Sequence, residues 1–311
     1  MSFPYLSDAV KALTGYDLPL PIPMFGLLVA CAAIAAAACL GAQLRWMGQQ
    51  GRIGNARRPM RATNGPNGTL ASIEVPAHEI VADLTVAVML AGIVGARLFH
   101  ILEHWDSFIA APWAMIFSRS GLSVFGGLIF GAMTGLVLVK RWKLAARPFF
   151  DAIAPALMLG YAIGRVGCQI AGDGDWGSAA NMSLKPDWIP TWLWAQTYDN
   201  NIYGEVIAFP GVYPTPVYET LMAALCFAVL WSLRKHRLKP GWLGALYLVL
   251  TGLERLAIEQ IRVNPVFDLF GVHATQAEVI AIGLTVAGLV GLAVSSRPGR
   301  TVPDRPAVPA A

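Results

Sequence analysis

Four arginines stand inside stretches of sequence that are otherwise apolar: Arg97, Arg165, Arg255 and Arg262. A charge at the centre of a membrane helix costs about 2.5–3.5 kcal/mol on insertion scales. Such a residue either snorkels to an interface or faces a polar interior. Arg255, Glu259 and Arg262 are spaced i, i+4, i+7, which puts them on one face of a helix. On that face Glu259 neutralises one arginine and leaves positive charge for a ligand, while Glu254 points elsewhere, toward another helix. A planar guanidinium donates paired hydrogen bonds to a phosphate. The nearest abundant phosphates to a membrane helix are those of phospholipids.

A second chemical segment runs Gly164-Arg165-Val166-Gly167-Cys168-Gln169-Ile170-Ala171-Gly172-Asp173-Gly174-Asp175-Trp176-Gly177. Its glycines permit close helix approach and then a tight turn, so that Arg165 and Asp173 can be presented to one ligand. It is not a nucleotide loop, because no strand precedes it and no Gly-Lys-Ser/Thr follows. It is not a calcium loop either: counting from Asp173, Leu184 stands where the bidentate Glu is required. Cys31, Cys39, Cys168 and Cys226 show no CxxC spacing, so neither a metal site nor a disulfide framework is expected.

The elements that must position these groups follow from composition. Of 311 residues, 56% are hydrophobic and 14% charged, against roughly 25% charged in soluble domains. This excludes a disordered chain, a coiled coil and a disulfide scaffold. A bilayer core takes about 20 apolar residues per helix, and seven such runs are present, at about 24–43, 80–102, 120–139, 150–170, 217–233, 241–263 and 276–296. The expected fold is an all-α membrane protein of seven transmembrane helices. Residues 1–20 lack the marks of a signal peptide and are expected as an outer, interfacial amphipathic segment. Residues 21–297 form the membrane domain, and the Pro-rich stretch 298–311 reads as a disordered tail.

Orientation follows from Lys and Arg in the loops. Sixteen of the 23 lie in alternate loops: Arg45 to Arg61, Lys140 to Arg147, Arg234 to Lys239, and Arg297 to Arg305. The opposite loops hold only Lys11, Arg119 and Lys185. The N-terminus is therefore expected outside and the C-terminus in the cytoplasm, and the net charge of +4 reflects topology rather than nucleic-acid binding. The outer segment 173–216 is rich in Trp and Tyr, as an interfacial cap would be. In this topology Arg97, Arg165, Arg255, Gly126, Gly127, Tyr218 and Glu219 all fall in the outer half of the bilayer. Independent snorkelling would not gather them there, whereas an anion-binding chamber would. A retinal protein is excluded because 276–296 contains no Lys. A lipid-sensing receptor remains an alternative of another class, as does a transporter, although internal repeats are not visible.

At Gly164-Arg165-Val166-Gly167-Cys168, followed by Gly172-Asp173, the chain resembles the prolipoprotein diacylglyceryl transferase family. Supporting pieces are Gly95-Ala96-Arg97-Leu98, Gly126-Gly127-Leu128-Ile129, Pro214-Thr215-Pro216-Val217-Tyr218-Glu219, Arg255 with Glu259 and Arg262, and Gln276. The resemblance runs from about Pro21 into the last span. It implies a multi-pass enzyme of the bacterial inner (plasma) membrane. That enzyme moves diacylglycerol from phosphatidylglycerol to the lipobox Cys thiol of a preprolipoprotein signal peptide, releasing glycerol phosphate without a cofactor. On this pattern Arg165 and Arg255 clamp the phosphate, with Arg97, Arg262, Gly126, Gly127 and Tyr218 as further substrate-binding positions. Asp173, Glu219 and Glu259 are the catalytic carboxylates, and the base stays open among these and Asp175. Departures are Phe125 where the family has His, Phe25 where it has Tyr, and Thr251 and Tyr213 where it has Tyr and His. A paralogue with another acceptor is the alternative within the family. His100 and His104 lie near the outer face as solvated interfacial histidines.

Overall fold

The computed structural model describes residues 2–19, 22–61, 70–118, 121–236, 238–269 and 272–296. The expected tail 298–311 lies outside them, as do Arg119, Arg237, Arg297, Arg300 and Arg305. The chain is mostly helical. A short amphipathic helix, α1 (Leu6–Thr14), precedes α2 (Met24–Gln49). A 3-10 turn (Ala77–Ile80) leads into α3 (Val81–Glu103). Two short helices follow, α4 (Trp105–Ala110) and α5 (Pro112–Ile116), and then α6 (Val124–Arg141) and α7 (Ala146–Ala171). A single turn, α8 (Thr191–Trp194), lies in the long segment before α9 (Thr215–Leu233), α10 (Trp242–Glu259) and α11 (Gln276–Ser295).

Among the described residues, six helical stretches are long and apolar enough to cross a membrane: Met24–Gln49, Ala77–Glu103, Val124–Arg141, Ala146–Ala171, Thr215–Leu233 and Gln276–Ser295. This agrees with an all-α membrane protein. The seventh expected run is the helix α10, which carries Glu254, Arg255 and Glu259 within its last six residues. It also stops short of the expected span: Arg262 lies beyond the helix end, in a turn where its N–H meets the Glu259 carbonyl at 3.4 Å.

Among the described residues, two hairpins stand where loops were expected. β1 (Ala56–Arg61) pairs antiparallel with β2 (Leu70–Val75), Ala56 opposite Val75. β3 (Val266–Leu269) pairs with β4 (Val272–Thr275) just before α11. The first carries Arg57 and Arg58, which reach Glu74 at 3.4 Å and Asp83 at 2.7 Å.

Packing pairs α2 with α7, α3 with α6, α7 with α9, and α10 with α11. The pair α3–α6 meets at glycine. A Cβ on Gly126 would strike the Gly95 carbonyl and the Phe99 side chain, and one on Gly95 would strike the Gly126 carbonyl. In lipid, small residues of this kind let two backbones touch. Asp151, 2% exposed in α7, closes the start of α10 from another helix, accepting from the Gly241 N–H at 2.7 Å and the Gly244 N–H at 2.9 Å. It thereby satisfies two N–H groups that a helix start otherwise leaves orphaned.

The two ends of the bundle differ. The basic loops after α2 and α6 meet at one, where the Arg57 N–H bonds the Trp142 carbonyl at 2.9 Å. At the other, the Phe3 N–H bonds the Ile170 carbonyl at 2.6 Å, and Asn200 Nδ2 donates to the Ser2 carbonyl at 3.2 Å. The N-terminal segment and the aromatic segment 173–216 thus share the end where α7 and α10 finish.

Candidate active site

Helix α7 ends where Gly172 takes φ +60, a left-handed C-cap whose N–H returns to the Cys168 carbonyl. That turn lifts Asp173 and Asp175 back over the helix end, above Arg165. Asp175 gives one carboxylate oxygen to Arg165 and the other to Arg262. Arg165 also meets Glu219 through Nε at 3.3 Å, and its guanidinium lies 5.1 Å from the ring centre of Tyr161, one turn earlier on α7.

Glu219, in the second turn of α9, is the centre of the cluster. Besides Arg165 it faces Arg262 at 3.5 Å and Arg255 at 3.6 Å, and its Oε1 accepts from the Tyr161 hydroxyl at 3.0 Å. Arg255 pairs with Glu259 at 2.8 Å, as the i, i+4 spacing requires. Glu259 is itself fixed: its Oε1 accepts from Asn264 Nδ2 at 2.6 Å and from Thr275 Oγ1 at 2.7 Å. Thr275 is also the N-cap of α11, accepting from the Glu278 N–H at 3.2 Å. The Glu219 side chain is 0% exposed, whereas Arg165, Arg255 and Arg262 keep 15%, 23% and 12% of theirs. The three cations thus lie over a buried anion, with Asp175, 32% exposed, bridging two of them on the outer side.

The aromatic segment covers this cluster and is tied to it by backbone. Gly177 bridges Arg262, the Ser178 N–H bonds the Ile261 carbonyl at 2.8 Å, and the Gly177 N–H bonds the Tyr213 carbonyl at 2.9 Å. Gln169, one turn on from Arg165, donates to Gln196 Oε1 at 2.8 Å and accepts from the Tyr198 hydroxyl at 2.7 Å. An open cavity of about 540 Å³ lies here, lined by Gln169, Trp192, Gln196, Thr197, Phe209 and Val217.

The two cap aspartates are shifted in opposite directions. Burial alone would raise Asp175, but the Arg165 and Arg262 guanidiniums outweigh it and hold its carboxyl below the usual range. Burial pushes the Asp173 carboxyl up, assisted by the neighbouring Asp175 charge, against a hydrogen bond from Cys168. Cys168, Asp173 and Asp175 bring their ligand atoms within 4.8 Å of one another. Two arginines already occupy Asp175, and their charge opposes a cation there.

The structure therefore brings together Arg165, Arg255, Arg262, Glu219 and Glu259, with Asp173 and Asp175 above them. It positions the other expected residues differently. The Arg97 guanidinium donates to the carbonyls of Met115 at 3.2 Å, Gly121 at 2.9 Å and Ser118, on the segment leading into α6. Gly126 and Gly127 pack against α3, Gly127 facing Gly92 and Ala96. Tyr218 donates to the Leu193 carbonyl at 2.6 Å, joining α9 to the cap. Tyr161, Asn264 and Thr275 were not anticipated. Tyr161 stands at i−4 from Arg165, a spacing that was available; Thr275 lies 16 residues from Glu259, beyond the reach of any helical spacing.

Residues 15–294 match the family described as prolipoprotein diacylglyceryl transferase. Among individual proteins, a phosphatidylglycerol–prolipoprotein diacylglyceryl transferase of Leptospira interrogans is 32% identical over 57% of this chain and 59% of its own length. The match thus spans under two thirds of that relative. Proteins of the same name from Shouchella clausii and Bacillus cereus are 30% and 29% identical, over 68% and 73% of this chain and 73% and 80% of theirs. The match takes in every residue of the arginine–carboxylate cluster, and the chain belongs to the prolipoprotein diacylglyceryl transferase family.

Proposed function

We propose that this protein transfers the diacylglyceryl group of phosphatidylglycerol to the lipobox Cys thiol of a preprolipoprotein, releasing glycerol phosphate. The observation that carries the proposal is the convergence of Arg165, Arg255 and Arg262 on one buried carboxylate, Glu219, with their own side chains still reachable. Diester phosphate binds the guanidinium forks of Arg165 and Arg255, and Asp175 yields part of its hold on Arg165 as it does so. The thiolate attacks the glyceryl carbon. A C–S bond forms, the C–O bond to phosphate breaks, and its electron pair stays on the phosphate oxygen, where the arginines stabilise the growing charge. The thiol proton passes to Asp173, whose carboxyl burial makes more basic than an ordinary one. Glu219 and Glu259 hold the arginines in place. The cavity beside Gln169 takes the acceptor segment.

In this reading α10 is a seventh span whose charged end lies inside the bundle, and the N-terminal segment and cap face outward in a bacterial plasma membrane. The grouping of the basic loops at the opposite end supports that orientation. The test is turnover of labelled phosphatidylglycerol with a lipobox peptide. Arg165→Ala and Arg255→Ala abolish transfer while the protein still inserts. Near-normal turnover in both variants would remove the phosphate clamp. Rescue of cells depleted of their own transferase would establish the acceptor.

A further inference from the structure

A second cluster lies at the end of α3, away from the arginines. His100, Glu103 and His104 bring one ligand atom each within 4.8 Å of one another. α3 ends at Glu103, but the His104 N–H still bonds the His100 carbonyl at 3.1 Å. The two histidines therefore stand one turn apart, their ring centres 4.4 Å from each other. Paired histidines at i, i+4 are a recurrent helical arrangement for zinc, and a carboxylate oxygen is a further zinc ligand type.

The surrounding hydrogen bonds prepare the ligand atoms. His104 Nδ1 lies 3.1 Å from the His100 carbonyl. A carbonyl only accepts, so Nδ1 carries the hydrogen and Nε2 keeps the lone pair. A ring nitrogen anchored on a carbonyl is what fixes the tautomer of metal-binding histidines. Glu103 is held in the same manner: its Oε1 accepts from Ser123 Oγ at 2.9 Å, leaving Oε2 for an ion. Zn–N and Zn–O bonds of about 2.0–2.2 Å place the ligands of a tetrahedral site about 3.4 Å apart. The present spacing thus needs only small rotations, and Glu103 and His104 are exposed enough to make them. The charged group nearest in the helix is Arg97, one turn earlier, whose guanidinium is directed to the carbonyls of the 115–121 segment.

We propose that His100, Glu103 and His104 form a binding site for a divalent transition metal of the zinc class, completed by water. The site is also a staple. The His100 ring lies directly beneath Gly121, Glu103 holds Ser123, and the Ser123 N–H bonds the Ala96 carbonyl at 3.0 Å. An ion there fixes the last turn of α3 to the strand of chain entering α6. Imidazole and carboxylate ligands suit zinc, whereas magnesium takes oxygen ligands and keeps its waters.

The test is calorimetric titration of the full chain, in detergent or nanodiscs, with ZnCl2 and with MgCl2. The expected result is one zinc per chain with micromolar affinity, with no heat from magnesium. His100→Ala and His104→Ala each weaken zinc at least tenfold, and Glu103→Gln weakens it less. Thermal unfolding rises with zinc in the parent and not in the doubly substituted His100→Ala, His104→Ala protein. All three positions are partly or fully exposed, so these variants keep the fold. Absence of zinc binding overturns the site, and so does binding that survives both histidine substitutions. Neither outcome depends on whether the protein transfers lipid.

Discussion

Glu219 and Arg165 meet at 3.3 Å, Oε2 to Nε, with the Glu219 carboxylate wholly buried. Arg165 comes from α7 and Glu219 from α9, so the pair ties two neighbouring helices at one depth. Arg255 and Arg262 lean on the same carboxylate. Removing it leaves three guanidiniums facing one another in a poorly hydrated site. Breaking a buried pair by deleting one partner costs about 3–5 kcal/mol. Glu219→Ala should therefore lower thermal stability strongly and abolish transfer, and Glu219→Asp should recover part of both. Unfolding followed by tryptophan fluorescence in detergent reads the first effect. A Glu219→Ala protein as stable as the parent would mean that the arginines do not depend on this anion.

Asp175 bridges Arg165 and Arg262 from above, on the side from which the phosphate enters in the proposed reaction. Asp175→Asn keeps the shape and removes the competing charge. Phosphatidylglycerol should then bind severalfold more tightly, while the cap is held less firmly. The sign with pH follows from the depressed Asp175 carboxyl. Its contribution to stability is present above the ordinary carboxylate value and is lost as pH falls through the lowered one. The parent should lose cap stability at acid pH, seen as faster amide exchange over 173–216, and the Asn variant should not show that added loss.

Asp173 is expected to set the acid limb of activity. Its carboxyl is raised by burial, and it accepts a proton only when ionised. Transfer should rise as pH climbs through that raised value. Its contribution to stability has the opposite sign: it is present below the ordinary carboxylate value and fades as pH passes the raised one. Asp173→Asn should reduce kcat by at least a hundredfold with little change in KM for the lipid. An unchanged pH profile in a still-active Asn variant would place the base elsewhere.

What the residues announced in advance, and what they did not, has a physical pattern. The apolar runs gave the six long helices because lipid exposure demands continuous apolarity. The i, i+4 relation of Arg255 to Glu259 survived because it is local. Arg262 joined the cluster without the helix face expected of it: it pairs with Asp175 and Glu219 rather than Glu259, and its turn is fixed by the Gly177 bridge, a contact between distant segments. β1 was invisible: Ala-Arg-Arg-Pro-Met-Arg has no alternating apolar face, and its pairing comes from β2. Arg97 looked like its fellow arginines because it too stands in an apolar run. Only the packing of α3 on α6 brings carbonyls of the 115–121 segment to it.

Gly126 separates a packing role from a lipid-binding one. A Cβ there would meet the Gly95 carbonyl and Phe99 of α3, so the glycine's value lies in helix approach. Overpacking a tight contact costs about 1–3 kcal/mol. Gly126→Val should therefore force α6 off α3, lower the unfolding temperature and disturb the Ser123–Glu103 contact at the end of α3. Affinity of the arginine cluster for phosphatidylglycerol should fall far less than in Arg165→Ala. A Gly95→Val variant, changed on the opposite helix, should reproduce the same loss. If Gly126→Val instead unfolds like the parent but fails to bind lipid, the glycine faces the ligand and the packing account is wrong.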